Sequence, residues 1–208
     1  MNESSGRPAP DVPLMTRVTL TGKLSTVEDK LIIEYTVKNS GTHAVYLWDV
    51  LKDYQGQTEF INHDLAYVFY EEPATVRVVR AMLQLPFDRD IYMKEDPYVR
   101  LLPAGGTADG RIVLSTPVEE FNPFYPGPEK PEDEKEINCD KIRLIIGGNE
   151  MRPGMVLKKD KVGDEEVLQI KGAWTPLQLW VETTFRAPVK LKVRQDPFDR
   201  RLPLHKLD

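Results

Sequence analysis

The sequence predicts an all-β protein, an antiparallel β-sandwich with long loop insertions and little helix. Three observations predict it. Apolar residues recur at every second position in run after run, the period of a strand that buries one face. Turn-forming residues punctuate these runs, with 17 Pro and 13 Gly in 208 residues. No stretch carries the three-to-four-residue apolar spacing of an amphipathic helix. About ten strands with no helices to cover a sheet leave sheet-on-sheet packing as the way to bury their apolar faces.

The runs follow in order. RVTLTGKLS places Val18, Leu20, Gly22 and Leu24 on one face and Arg17, Thr19, Thr21 and Lys23 on the other. After the polar break VEDK, LIIEYTVK aligns Leu31, Ile33, Tyr35 and Val37. Asn39-Ser40-Gly41 is a turn, since Asn and Gly tolerate positive φ. AVYLWDVL then sets Val45 and Leu47, with Asp49 a candidate for the same side, against Tyr46, Trp48 and Val50. These three strands are expected to form a meander. LAYVFYE (65–71) and TVRVVRAML (75–83) flank Glu72-Pro73, and YVRLL (98–102) leads through PAGGTADG to RIVLS (111–115). KIRLIIG (141–147) is the most apolar late run and is expected at the centre of a sheet. VLQI (167–170), LQLWVETTF (177–185) and VKLKV (189–193) complete the pattern, and helical turns are expected only near 49–54 and 85–95.

Two stretches resemble parts of bacterial immunoglobulin-like domains. LIIEYTVKNSGTHAVYLWD resembles their middle hairpin, in which an alternating strand ends in Asn-x-Gly and the next begins with small or aromatic residues. LLPAGGTADGRIVL resembles an extended strand that stops at Pro-x-Gly-Gly before the edge turns. The resemblance implies an immunoglobulin-like sandwich and brings no catalytic residues. At about twice the usual size of such a domain, the chain must also carry insertions or extra strands.

The expected organisation is a flexible lead-in (1–15), one sandwich domain (16–194) and a basic C-terminal tail (195–208). An insertion at 116–140 carries eight acids against two lysines. Its centre, FNPFYPGPEKPEDEKE, combines aromatics, prolines and charge, and connections this long are usually functional or disordered. From Arg186 to the end there are seven Lys/Arg against three Asp, so the two segments are either independently solvated or clamped together. Pro-Phe-Asp-Arg recurs in LPFDRD (85–90) and DPFDRRLP (196–203), which reads as chance or a repeated capping turn, with a duplicated half-domain as the alternative although the surrounding strands do not align.

Net charge of −5 argues against a general nucleic-acid binder, and no run reaches the length of a membrane span. The start, MNESSGRPAPDVPLM, lacks a basic-then-apolar leader, so a cytoplasmic protein, or an exported one whose leader has been removed, is expected. A single cysteine, Cys139, excludes an internal disulfide.

His43, His63 and His205 stand apart without metal-ligand spacing, and His63-Asp64 is the one histidine beside a carboxylate. Met151 and Met155 offer two soft sulfurs for copper(I), too few for a site. Asp49, Asp53, Glu71, Glu72, Asp88 and Asp90 lie near strand ends, where loops can gather carboxylates around Ca²⁺, without the spacing of a known calcium loop. Phosphate-loop, nucleophile-elbow and H-E-x-x-H motifs are absent. The expectation is therefore no catalytic residue, no metal and no cofactor.

The candidate binding residues are the aromatics Phe121, Phe124, Tyr125, Trp174 and Trp180, which can anchor a partner or stack on a sugar. The function expected is a non-catalytic binding or protein–protein interaction module, with a protein partner or self-association. A carbohydrate-binding sandwich is the alternative. A metal-dependent hydrolase is the third reading, and it requires a cleft that gathers carboxylates around His63.

Overall fold

The computed structural model describes residues 17–83, 98–125, 133–150, 155–172 and 179–195. Among them run fourteen strands. In chain order these are β1 (Val18–Val27), β2 (Lys30–Asn39), β3 (Val45–Val50), β4 (Lys52–Gln55), β5 (Thr58–Ile61), β6 (Tyr67–Glu71), β7 (Thr75–Arg80), β8 (Tyr98–Leu102), β9 (Thr107–Ser115), β10 (Val118–Glu119), β11 (Glu134–Glu150), β12 (Met155–Val162), β13 (Glu165–Gly172) and β14 (Leu179–Arg194).

They form the all-β sandwich that the alternation predicts. A small antiparallel sheet, β1-β2-β9, faces a large one built on β11. One edge of β11 pairs with β14 from Glu134↔Arg194 to Gly148↔Leu179. Its other edge takes β7 in parallel and then β3 antiparallel. From β3 the sheet continues through β8 and β13 to β12, while β6 extends from β7 and β10 lies parallel to β14. Two of the pairs are thus parallel, so the large sheet is mixed rather than purely antiparallel. β4 and β5 make a separate hairpin.

The core between the sheets takes alternate residues from each: Leu31, Ile33, Val37 and Ile112 from the small sheet meet Leu47, Val78, Leu144 and Leu191 from the large one. Each fully buried aliphatic side chain contributes about 1.5–3 kcal/mol. The large sheet is also apolar on its other face, where Tyr67, Phe69, Val79 and Ile145 form one cluster and Tyr46, Trp48, Val99 and Met155 another. This double coverage explains why TVRVV and KIRLIIG lack a polar face.

Several expectations are corrected. The first three strands are not a meander, because β3 crosses to the large sheet. Buried Asn39 directs the crossing: its amide donates to the carbonyls of His43 (2.8 Å) and Pro103 (3.1 Å), and its Oδ1 accepts from Gly41 N–H (2.9 Å). These bonds peel the chain off β2 and tie it to the link between β8 and β9. Around 49–54 there is no helical turn; β3 ends and the β4–β5 hairpin begins, closed by Gly56 at φ 64°. The other expected turn, near 85–95, lies largely outside the described residues, and within 85–95 nothing is described. The runs at 177–185 and 189–193 are one strand. Pro188 falls opposite the register shift at Cys139/Lys141, where its missing N–H leaves no ladder bond broken.

Within 116–140, expected as one insertion, lie β10 and the first seven residues of β11. The acidic and basic segments do meet there: Lys190 pairs with Glu136 and Lys192 with Glu119, each at 2.7 Å. Such exposed pairs contribute only about 0–1 kcal/mol each. The lead-in 1–15 and the tail beyond Gln195 lie outside the described residues.

Candidate functional site

Four strands carry a polar residue on an otherwise apolar inward row. On β3 the row is Val45, Leu47, Asp49; on β7 it is Val76, Val78, Arg80; on β8, Leu102 is followed by Arg100; on β2, Tyr35 sits between Ile33 and Val37. The fold brings these four side chains together across the gap between the sheets.

The contacts run as a chain. Arg80, 4% exposed, donates from Nη1 to the Tyr35 hydroxyl at 3.0 Å. That hydroxyl donates to Asp49 Oδ2 at 3.2 Å. Asp49, with 2% of its side chain exposed, accepts from Arg100 Nε at 3.3 Å and, in a shorter bond, from Arg100 Nη2. Arg80 otherwise meets neutral acceptors, the carbonyls of Leu65 (2.8 Å), His63 (2.5 Å) and Arg111 (2.9 Å). Arg100 Nη1 donates to the carbonyl of Asp109 at 2.6 Å. Burial, and then the adjacent Asp49 charge, push the Tyr35 phenol up to about 12, so it stays a neutral donor.

A glycine on the neighbouring strand makes room for this phenol. Tyr35 stands in register between Gly22 on β1 and Gly110 on β9. A Cβ on Gly110 would lie 2.2 Å from Tyr35 Cζ, so the ring occupies the space a side chain would take.

The network floors a cleft of about 930 Å³. Lys23, Glu34, His63, Asp64, Asp109 and Arg111 line it with the four core-facing groups. The outward-facing members form cross-strand partners, Lys23 with Glu34 and Glu34 with Arg111. Arg111 also approaches Asp64 at 3.7 Å. His63 thus does stand in a cleft with carboxylates, but its exposed ring pairs through Nε2 with Glu165 on β13, at 2.8 Å.

The aromatic candidates lie elsewhere. Phe121 exchanges backbone hydrogen bonds with Val68 and is 37% exposed, its ring 6.1 Å from that of Tyr67. Phe124 is half-buried, its N–H bound to Asn122 Oδ1 at 3.0 Å, and Tyr125 is buried. Trp180 packs on the Tyr67–Phe69–Ile145 cluster rather than facing solvent, because the large sheet is covered on both faces. Phe121 and Trp180 therefore share the outer side of the large sheet through Tyr67, while Tyr125 does not join them as an exposed platform. Trp174 lies outside the described residues.

The stretch around Phe121 is held by a group that composition does not flag. Glu120 is buried, its Oε1 accepting from Tyr70 N–H at 2.7 Å and its Oε2 from Arg194 N–H at 2.9 Å.

Metal chemistry finds little to hold an ion. Among the described residues no three His, Cys, Asp or Glu gather as ligands. Met155 packs with Tyr46 and Trp48, Asp53 accepts from Asn62 at 3.0 Å, and Glu71 pairs with Arg143; Met151, Asp88 and Asp90 lie outside the described residues. Cys139 is buried, and burial followed by the Asp140 charge raises its thiol pKa. No helix among the described residues is long and apolar enough to cross a membrane.

The signal that would have found the cleft is charge in phase with an apolar row. It is present in TVRVVR and YVRLL as clearly as in VYLWD. No known family, curated protein or solved structure matches the chain.

Proposed function

We propose that the chain is a non-catalytic binding module whose ligand site is the cleft over Tyr35, Asp49, Arg80 and Arg100. The observation that carries this reading is the four-residue network, with Tyr35, Asp49 and Arg80 buried and Arg100 part-exposed, opening onto about 930 Å³ of solvent-reachable space. That volume lies within the range of small-molecule and peptide-end sites. Burying a guanidinium and a carboxylate, with a second guanidinium part-buried beside them, is expensive, and an apolar set of the same volume often stabilises a core better. Strands that already alternate correctly have no folding need for charge at these positions, so a ligand-directed role accounts for it.

A binding role is favoured over catalysis because no serine or cysteine among the described residues lines the cleft and His63 turns its Nε2 to Glu165. A carbohydrate platform needs a row of exposed rings. Of the described aromatic candidates only Phe121 is among the exposed large side chains. We also read the sandwich as immunoglobulin-like. The support is the β2 strand ending at Asn39-Ser40-Gly41 before the chain changes sheets, although the parallel β7–β11 and β10–β14 pairs are additions to that plan.

The test is amide-shift mapping of ¹⁵N-labelled protein against a library of small polar and apolar fragments. Hits should perturb residues 35, 49, 80, 100 and 109–111 together. Hits that cluster around Phe121 or Trp180 and leave those residues unmoved would overturn this assignment.

A further inference from the structure

We infer that the cleft takes an anionic oxygen group, a carboxylate or phosphate, at the outer edge of β9. This inference rests on the reading of the cleft as a ligand site and adds the chemistry of the ligand.

The argument starts from hydrogen-bond parity. Asn39 N–H donates to Gly106 O at 3.0 Å, and in an antiparallel ladder bonded pairs alternate. With the register Val37↔Ala108 and Tyr35↔Gly110, the even-numbered residues of β9 bond to β2. Residues 109, 111 and 113 must therefore turn both N–H and C=O away from β2. Three contacts agree: Arg100 reaches Asp109 O, Arg80 reaches Arg111 O, and Val113 N–H donates to Asp64 O at 3.2 Å.

This edge is lopsided. The carbonyls of Asp109 and Arg111 are occupied by guanidinium donors, while the N–H groups of the same two residues turn to the open edge with no acceptor among the described residues. A free edge normally offers donors and acceptors alternately, and a joining strand needs both. Over Asp109 and Arg111 this one offers donors only. Arg100 adds to them, because its three bonds leave two of its five N–H without an acceptor among the described residues.

Charge points the same way. The floor holds two guanidiniums, buried Arg80 and part-exposed Arg100, against the single carboxylate of Asp49, an excess of one positive charge. The acids nearer the mouth have partners: Glu34 stands cross-strand between Lys23 and Arg111, Asp64 approaches Arg111, and Asp109 accepts from the Thr36 hydroxyl at 2.6 Å. Each of these backbone N–H groups, about 7 Å apart along the strand, can donate to an oxygen of an oxyanion, and the arginine fork adds charge-assisted bonds that match carboxylate and phosphate geometry.

The experiment is an amide-shift titration with glutarate, inorganic phosphate and the neutral glutaramide at constant ionic strength. Glutarate or phosphate should shift the Asp109 and Arg111 amides saturably, and glutaramide should not; the tighter of the two anions names the source. Two variants separate coordination from bulk charge. Asp109→Asn removes an acid and keeps the N–H, so it should bind at least as tightly as wild type. Asp109→Pro removes the same acid and also the donor, at an outward-facing edge position that tolerates proline, and should bind about fivefold more weakly. Tightening in both variants would reduce the effect to electrostatics and overturn the inference. Neutral fragments that shift these amides when no anion does would overturn the ligand class and leave the binding reading standing. Silence of the cleft amides to every anion and every fragment would overturn both.

Discussion

Replacing Gly110 by alanine should be among the most damaging single-methyl changes in this protein. The added Cβ would stand 2.2 Å from Tyr35 Cζ, 2.3 Å from its hydroxyl oxygen and 2.6 Å from Cε1, where carbon atoms ordinarily rest about 3.5–4.0 Å apart. The ring has no easy retreat, because its hydroxyl is held between Arg80 Nη1 at 3.0 Å and Asp49 Oδ2 at 3.2 Å. Relief requires the phenol to move by more than an ångström and to release those bonds. Hydrogen bonds to charged groups contribute about 1.5–3 kcal/mol each, and overpacking adds about 1–3 kcal/mol. Alanine's smaller loss of backbone freedom returns only about 0.5–1 kcal/mol. The expected net cost is about 3–5 kcal/mol. Urea unfolding of Gly110→Ala, Tyr35→Leu and the double variant measures it as a cycle. In the Tyr35→Leu background, where no Cζ remains, Gly110→Ala should be neutral or slightly stabilising. Gly22→Ala is the comparator, since its nearest obstacle is Phe185 Cζ at 2.8 Å, the end of a ring with no hydrogen bonds to hold it. A Gly110→Ala cost below about 1 kcal/mol, or additive costs in the cycle, would refute the account of Tyr35 as a pinned group.

Three further outcomes follow from the same network and core. The Tyr35 phenol is raised to about 12 in the folded protein, so above pH 10 the unfolded chain loses this proton first and stability falls as pH climbs from 10 to 12, by up to about 1.4 kcal/mol per pH unit; below pH 10 the group contributes no slope. Tyr35→Phe should flatten that alkaline loss by about one proton's worth in urea midpoints taken across the range, and an unchanged slope would contradict it. Asp49→Asn removes the carboxylate that pairs with Arg100 and accepts from the Tyr35 hydroxyl, and should cost about 1.5–3 kcal/mol in chemical denaturation; a loss under about 1 kcal/mol would mean the pair is effectively solvated. Cys139, buried with its thiol raised by burial and then by Asp140, should react with a disulfide reagent only as fast as the protein opens, and labelling at the rate of a free thiol in native buffer would place it at the surface.

The sequence made legible what period two can encode. Strands with one buried face announced themselves, and YVRLL coincides with β8 to the residue. The elements that escaped are those stabilised by their neighbours. β12, MVLKKDKV, is lysine-rich at a sheet edge, as edge strands that resist pairing tend to be. The first half of β11, EKEINCD, reads as acidic loop because its partner is the lysine-bearing end of β14, more than fifty residues away. The cleft was half legible. Asp49 showed as a carboxylate in phase with Val45 and Leu47, and the same test identifies Arg80 and Arg100 on their own strands. What no strand reveals is that these rows turn polar at the same end of the sandwich, since that alignment depends on how far each strand slides past the next. The aromatics drew attention because they are large, yet size mainly buys burial, as Trp180 and Tyr125 illustrate. A charge in an apolar row is the more informative anomaly. Desolvation opposes it at every such position, so three of them converging with a tyrosine on one cleft ask for a common cause, and a ligand that draws on the spare donors of Arg100 and the β9 edge supplies one.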